Sequence, residues 1–122
     1  MKLNHSALTI SDTAEINNFY HDILGLKHDR TFELNKTLCS KIFGIPANTP
    51  VYIMKKNNLV LEIFVASQKN KQGYNHICLE IKNREEVFRK AINKNYKCIR
   101  IERESNDLIF IKDNYGNTFE IK

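Results

Sequence analysis

Four side chains capable of acid–base or metal chemistry recur in a regular pattern along the chain. His5 stands in "LNHSALTI" and His76 in "YNHICLEI", while Glu62 is centred in "LEI" (61–63) and Glu120 in "FEI" (119–121). An imidazole can titrate near neutral pH or offer a nitrogen to a metal, and a carboxylate can accept a proton or ligate through oxygen. His5 precedes Asp12 by seven positions and His76 precedes Asn83 by seven. Asp12 and Asn83 each open a helical pattern, so an opening His and a closing Glu occur in duplicate.

The elements that must hold these residues also repeat. Between Asp12 and Leu24, the residues Ile16, Phe19, Tyr20, Ile23 and Leu24 form one apolar helical face. Asp12 with Glu15 makes a capping box, and Gly25 supplies the stop. A strand precedes this helix, and strand-like runs follow at Lys27 to Leu34, Val51 to Met54 and Leu59 to Val65. The second half opens on the strand "YNHICLEI". A helix starting at Asn83, with Glu86 as the reciprocal capping residue, places Val87, Phe88, Ala91 and Ile92 on its apolar side. Strands are expected near Lys97 to Ile101, Leu108 to Ile111 and Asn117 to Ile121.

This order predicts an α+β fold made of two βαβββ repeats, about 1–67 and 73–122, in a single domain spanning 1–122. The helices would cover the outer face of a curved, mainly antiparallel sheet, and the other face would line a cavity. Strand alternation puts Ile77, Leu79 and Ile81 on the helix side, and His76, Cys78 and Glu80 on the other. By the same rule His5, Ala7 and Thr9 share a face, and Glu120 lies opposite Phe119 and Ile121. Phe64, on the face of Glu62, is a candidate cavity wall. The stretch "NKTLCSKIFGIPANTP" (35–50) has no counterpart in the second repeat. It reads either as a surface insertion or as a lid, with Leu38, Ile42 and Phe43 in a short helical turn ended by Gly44 and Pro46. "DNYG" (113–116) lies between apolar strands and reads as a hairpin turn.

Composition narrows the classes of function. A chain of 122 residues is long enough for one core. The net charge of +5 comes from lysines scattered between acids, which disfavours nucleic-acid binding. No apolar run is long enough to cross a membrane, and "MKLNHSALTI" lacks the pattern of a signal peptide, so a cytoplasmic location is expected. Cys39, Cys78 and Cys98 are odd in number and form no CxxC pair. They are expected to be reduced, mostly buried, and neither disulfide-bonded nor a zinc knuckle. His21 and His28 have no repeated partner and read as surface residues. Phe19, Tyr20 and Phe88 read as core.

The segments "HSALTISDTAEINNFYHDILGL", "LVLEIF", "NHICLEIKN" and "IFIKDNYGNTFEIK" together resemble the vicinal oxygen chelate superfamily. That group includes glyoxalase I, methylmalonyl-CoA epimerase, extradiol dioxygenases, and fosfomycin- and bleomycin-resistance proteins. The resemblance, closest to glyoxalase I-like proteins, covers almost the whole chain. It implies that His5, Glu62, His76 and Glu120 ligate one divalent metal per site, with Zn, Ni, Co, Mn or Fe all suited to the donors. It further implies a substrate chelated through adjacent oxygens by a Lewis-acidic cation, with Glu120 as general base and Glu62 as its counterpart. Thr9, Phe64 and Cys78 are then candidate substrate contacts.

Glyoxalase-like lyase or isomerase chemistry on a small oxygenated metabolite or thiol adduct is the expectation. Two departures disfavour glutathione as the thiol: Thr9 stands where glyoxalase I has Arg, and Ala66 where it has Asn. Lys69 and Lys71 could instead meet an anionic substrate. An Fe(II) extradiol dioxygenase would leave Glu62 unexplained. A metal-free binding or resistance protein would leave the whole ligand set unexplained. A homodimer, a small-molecule substrate and neither membrane nor nucleic acid complete the expected partners.

Overall fold

A computed structural model describes residues 1–67 and 73–122 of the chain. It divides into two compact units, Met1–Gln68 and Lys69–Lys122. The expected contribution of Lys69 and Lys71 lies outside the described residues.

The first unit contains β1 (Ser6–Ile10), a π-helical segment (Ile16–His21), β2 (Lys27–Leu34), α1 (Lys36–Phe43), β3 (Thr49–Lys56) and β4 (Leu59–Val65). Its sheet has the order β1-β4-β3-β2. The second unit contains β5 (Ile77–Leu79), α2 (Arg84–Asn93), β6 (Lys97–Ile101), β7 (Leu108–Lys112) and β8 (Thr118–Ile121), with the sheet order β5-β8-β7-β6. Both sheets are therefore wired alike. The first and last strands of each unit pair in parallel, and the other two pairings are antiparallel. This is the α+β architecture of two βαβββ repeats that the sequence pattern predicts.

The apolar stripe of the first helix is buried as expected: Ile16, Phe19, Tyr20, Ile23 and Leu24 are all at most 5% exposed. Its winding differs from the regular α-helix expected. The amides of Asp22 and Leu24 donate to the carbonyls of Asn17 and Phe19, five residues back, which is π geometry. The Asp12 carboxylate caps the start by accepting from the Ala14 amide at 2.8 Å. At the other end Gly25 adopts φ +71°, and Lys56 Nζ donates to the Leu24 carbonyl at 2.9 Å. A Cβ at Gly25 would come within 2.7 Å of that ammonium nitrogen. With Leu26, Met54, Leu61 and Ile63, this stripe forms the core of the first unit. Burying each such side chain stabilises the fold by roughly 1.5–3 kcal/mol.

The stretch between β2 and β3 is more than a turn. Asn35 caps α1 by accepting from the Leu38 amide at 2.9 Å, and Gly44 ends it in the left-handed conformation. Cys39 anchors the helix inward, while Leu38, Ile42 and Phe43 remain exposed.

In the second unit α2 packs against β6 and β7. Val87, Ala91, Ile109, Ile111, Phe119 and Ile121 form its core. Asn83 departs from a regular capping box: its Nδ2 donates to the Glu86 carboxylate at 2.9 Å and its side chain caps no backbone amide. Phe88 is half-buried under the Arg100 guanidinium, 4.8 Å from the ring centre, and Ile92 is exposed. Neither belongs to the core as expected, because Arg100 covers one and nothing described buries the other. The turn at 113–116 is structural, as its sequence implied. The buried Asp113 carboxylate accepts from the amides of Tyr115 and Asn117 at 2.9 and 2.8 Å and from Asn117 Nδ2 at 2.6 Å.

Candidate functional site

The parallel ladders bring each His to its Glu by the same construction. In the first unit Ala7 is level with Glu62, and in the second Cys78 is level with Glu120. Each histidine lies two residues before that level position. It sits just outside the strand, and His76 accordingly precedes β5 rather than lying within it. The side chains of positions two apart share a face. Both imidazoles therefore reach the glutamate of the neighbouring strand: His5 Nε2 is 3.5 Å from Glu62 Oε2, and His76 Nε2 is 3.4 Å from Glu120 Oε2.

The tautomer of His76 follows from its other nitrogen. Nδ1 lies 2.9 Å from the Tyr74 carbonyl, and a carbonyl oxygen only accepts, so Nδ1 carries the proton. In the neutral ring Nε2 then presents a lone pair toward the Glu120 carboxylate. The two groups then face each other as acceptors, 3.4 Å apart. Ligating histidines are commonly oriented by such an N–H to carbonyl bond. Donors this far apart can both reach one cation at the roughly 2.0–2.2 Å typical of nitrogen and oxygen ligands. Among the described residues no three or more His, Cys, Asp or Glu side chains are gathered into a group that could hold a metal. Each unit thus contains one His–Glu pair with a nitrogen and an oxygen donor.

The surroundings of the two pairs differ. Around Glu62 they are apolar: Phe64 lies two residues on, level with Thr9 of β1, and Phe43 of α1 meets it edge to face with ring centres 5.7 Å apart. The segment 35–50 therefore lies against the face that carries Glu62. Around Glu120 they are charged. Lys122, two residues on, places Nζ 3.4 Å from Glu120 Oε1, and its backbone is fixed by bonds to Leu79 and Ile81. The Phe110 ring stands 6.0 Å from that of His76. The Glu120 side chain is 12% exposed, against 23% for Glu62.

Cys78 is exposed rather than buried, because its strand position points it to the face of Glu120. Shallow desolvation, then the negative charge of Glu120, push its thiol pKa up, with Lys122 partly opposing. Cys39 and Cys98 follow the buried expectation more closely, and all three cysteines are free. His21 and His28 are exposed and bound locally to Asp22 and Thr31. Sequence reasoning missed Lys122, although it stands two residues beyond Glu120 on a strand. It also missed the Tyr74 carbonyl, which no side-chain pattern reveals.

Residues 2–121 match the family described as the Glyoxalase/Bleomycin resistance protein/Dioxygenase superfamily. The chain belongs to this superfamily. No curated protein matches it in sequence. Among solved structures, a glyoxalase family protein from Enterococcus faecalis shares 21% identity at a TM-score of 0.68, covering 98% of this chain and 95% of that one. The fosfomycin resistance protein FosX from Listeria monocytogenes shares 16% identity at a TM-score of 0.75, with 99% and 91% covered. A mutant of FosX, at the same identity and TM-score with 98% and 90% covered, is complexed with Mn(II) and 1S,2S-dihydroxypropylphosphonic acid. These likenesses show the fold. Among the described residues no helix is long and apolar enough to cross a membrane.

Proposed function

We propose that the protein is a metal-dependent lyase or isomerase of the glyoxalase I-like type, acting on a small oxygenated metabolite or thiol adduct. The observation that carries this reading is the duplicated His–Glu pair, built twice on the same parallel register. His5, Glu62, His76 and Glu120 would together hold one divalent cation. When bound, such a cation supplies Lewis-acid polarisation of substrate oxygens.

The protein's own groups have distinct tasks. The Tyr74 carbonyl fixes the His76 tautomer, so that Nε2 is the donor nitrogen. Glu120 Oε2 accepts the proton taken from the substrate, while Lys122 Nζ, 3.4 Å from Oε1, restrains the rotation of the carboxylate. Glu62 is the counterpart base for the opposite side of the substrate. Thr9, Phe64 and Cys78 line the faces next to these carboxylates, and Phe43 closes over Phe64 from α1. The half-site in each unit also bears on assembly. The working unit is a homodimer, because the edge strands β1, β2, β5 and β6 need partners or cover, and a two-fold axis would make each contact occur twice.

The test is elemental analysis of purified protein, followed by assay of the metal-loaded form against hemithioacetals of several thiols, acyl-CoA epimers and catechols. Fosfomycin joins the panel because FosX shares the fold. Turnover of one class identifies the reaction. No turnover, together with tight binding of an aromatic drug by metal-free protein, would replace the enzyme by a sequestering protein.

A further inference from the structure

Beside Glu120 the second unit carries a cavity of about 360 Å³, at the lower end of the roughly 300–1,000 Å³ range of small-molecule sites. Its walls bring together three cationic side chains from separate elements: Arg84 from the start of α2, Arg103 from the segment joining β6 to β7, and Lys122 from the end of β8. Two acids, Asp107 and Glu120, also line it.

One acid is engaged from outside the cavity and the other partly from within it. Asp107 Oδ2 accepts from Arg100 Nη1 at 3.0 Å, and Arg100 stands outside the cavity lining. Glu120 turns Oε2 to His76 and Oε1 to Lys122, whose Nζ lies 3.4 Å away. The two arginines, by contrast, are positioned through neutral carbonyls. Arg84 Nη1 donates to the Asp107 carbonyl at 3.2 Å and Arg103 Nε to the Asn106 carbonyl at 2.9 Å, which fixes both guanidinium groups without cancelling their charge. Arg84 also lies 3.8 Å from a Glu85 carboxylate whose other oxygen is bound by Arg100. With Lys122 and Glu120 offsetting each other, the two arginines leave the balance of the lining positive, and guanidinium forks match oxyanions in a bidentate geometry.

We infer that this cavity is an oxyanion subsite, taking a carboxylate, phosphate or phosphonate group through Arg84, Arg103 and Lys122. The inference deepens the proposed function by making the substrate anionic, with its charged end in the second unit beside Glu120. It needs no metal for its test, so failure of metal binding and failure of anion binding are read separately.

Metal-free wild-type protein is titrated with inorganic phosphate, and in parallel with acetate, at fixed ionic strength, following backbone amide signals by NMR. Saturable shifts at Arg84, Arg103, Leu108 and Lys122 are expected. A stronger response to phosphate marks a phosphate-type ligand, and a stronger response to acetate marks a carboxylate. Arg103→Gln and Arg84→Gln should each weaken the response about tenfold or more, as loss of a charge-assisted contact implies. Arg103→Lys should restore part of it. Because Arg103 sits in an exposed connection, its Gln variant keeps the fold, and the amide spectrum reports that directly. Affinity unchanged within about twofold in both Gln variants, or shifts that do not saturate at the cavity, would overturn the subsite.

Discussion

The two His–Glu pairs are alike in construction and unlike in company. Each glutamate is level with the second residue after its histidine, and the Nε2 to Oε2 separations are 3.5 and 3.4 Å. Yet Glu62 has an aromatic neighbourhood of Phe64 and Phe43, while Glu120 has Lys122 and, opposite it on the adjacent strand β7, Phe110. Backbone register alone sets the donor geometry, so it survives complete replacement of the neighbours. Those neighbours set what each carboxylate can do. The pairs are therefore alike in donor geometry and distinct in the groups around their carboxylates.

The largest effects should come from the feature the pairs share. His5→Ala and His76→Ala should each abolish stoichiometric metal, measured by elemental analysis and metal titration. Retained stoichiometry in either variant would remove that histidine from the site and break the symmetry. Mixing the two variants asks how the halves combine. If His5 and Glu62 of one subunit join His76 and Glu120 of another, a mixed dimer regains one intact site. If all four donors are local to a chain, the mixture regains none. A monomer by light scattering at assay concentration would remove the dimer altogether.

The next effects should come from the difference between the pairs. Glu120→Gln should lower turnover by about a hundred- to ten-thousand-fold, the usual contribution of a positioned base. Glu62→Gln should lower it less, because its carboxylate is more exposed and sits beside aromatic rings instead of an ammonium group. Equal losses would show that the surroundings do not assign the base.

Much of this comparison was legible in the sequence. The runs Lys27–Leu34, Leu59–Val65 and Lys97–Ile101 form strands with the expected bounds; β-branched and apolar residues report the largely buried Leu59–Val65 directly, whereas Lys27–Leu34 is a strand almost wholly exposed. The buried stripe of the first helix was legible too, but its winding was not. Periodicity records which side chains are buried, and the same stripe is buried whether amides reach four residues back or five. The length of α1 was hidden because its apolar residues are mostly exposed and leave only Cys39 inward. At the site, the duplicated His and Glu were visible because a strand repeat preserves spacing. Lys122 and the charged cavity were not, since Arg84, Arg103 and Lys122 are far apart in the chain and meet only through the fold.

Stability should separate the repeats at their turns. Asp113 is buried and accepts three hydrogen bonds, so Asp113→Ala should cost about 1–3 kcal/mol in denaturant unfolding. The β3–β4 turn of the first unit relies on Asn57 at φ 52°. Asn57→Ala there should cost about 1 kcal/mol, through the left-handed conformation alone. A larger cost at Asn57 would mean that the first turn carries contacts beyond its backbone geometry. Phe43→Ala should change metal binding little. It should weaken an apolar ligand by a few-fold to about tenfold, as expected for one lost aromatic contact, and an unchanged ligand affinity would make α1 a surface insertion.

The smallest effect offers the sharpest view of the unit-specific chemistry, because only the second pair carries a thiol. Cys78 is level with Glu120, whereas Ala7 occupies the equivalent place beside Glu62. Shallow burial and the Glu120 carboxylate raise the Cys78 pKa, so less of it is thiolate at neutral pH and alkylation should be slow. Glu120→Gln removes the negative charge that disfavours the thiolate. The pKa should fall, and iodoacetamide labelling of Cys78 in metal-free protein should accelerate by a few-fold. Cys98 is raised by burial alone, so its labelling should not respond and serves as an internal control. An Ala7→Cys substitution extends the measurement to the first pair, where Glu62→Gln should speed labelling of the introduced thiol in the same direction. Peptide mass spectrometry across pH would read all three sites together. No acceleration at Cys78 would mean that the carboxylate does not face the thiol, and the charged surroundings assigned to the second pair would have to be redrawn.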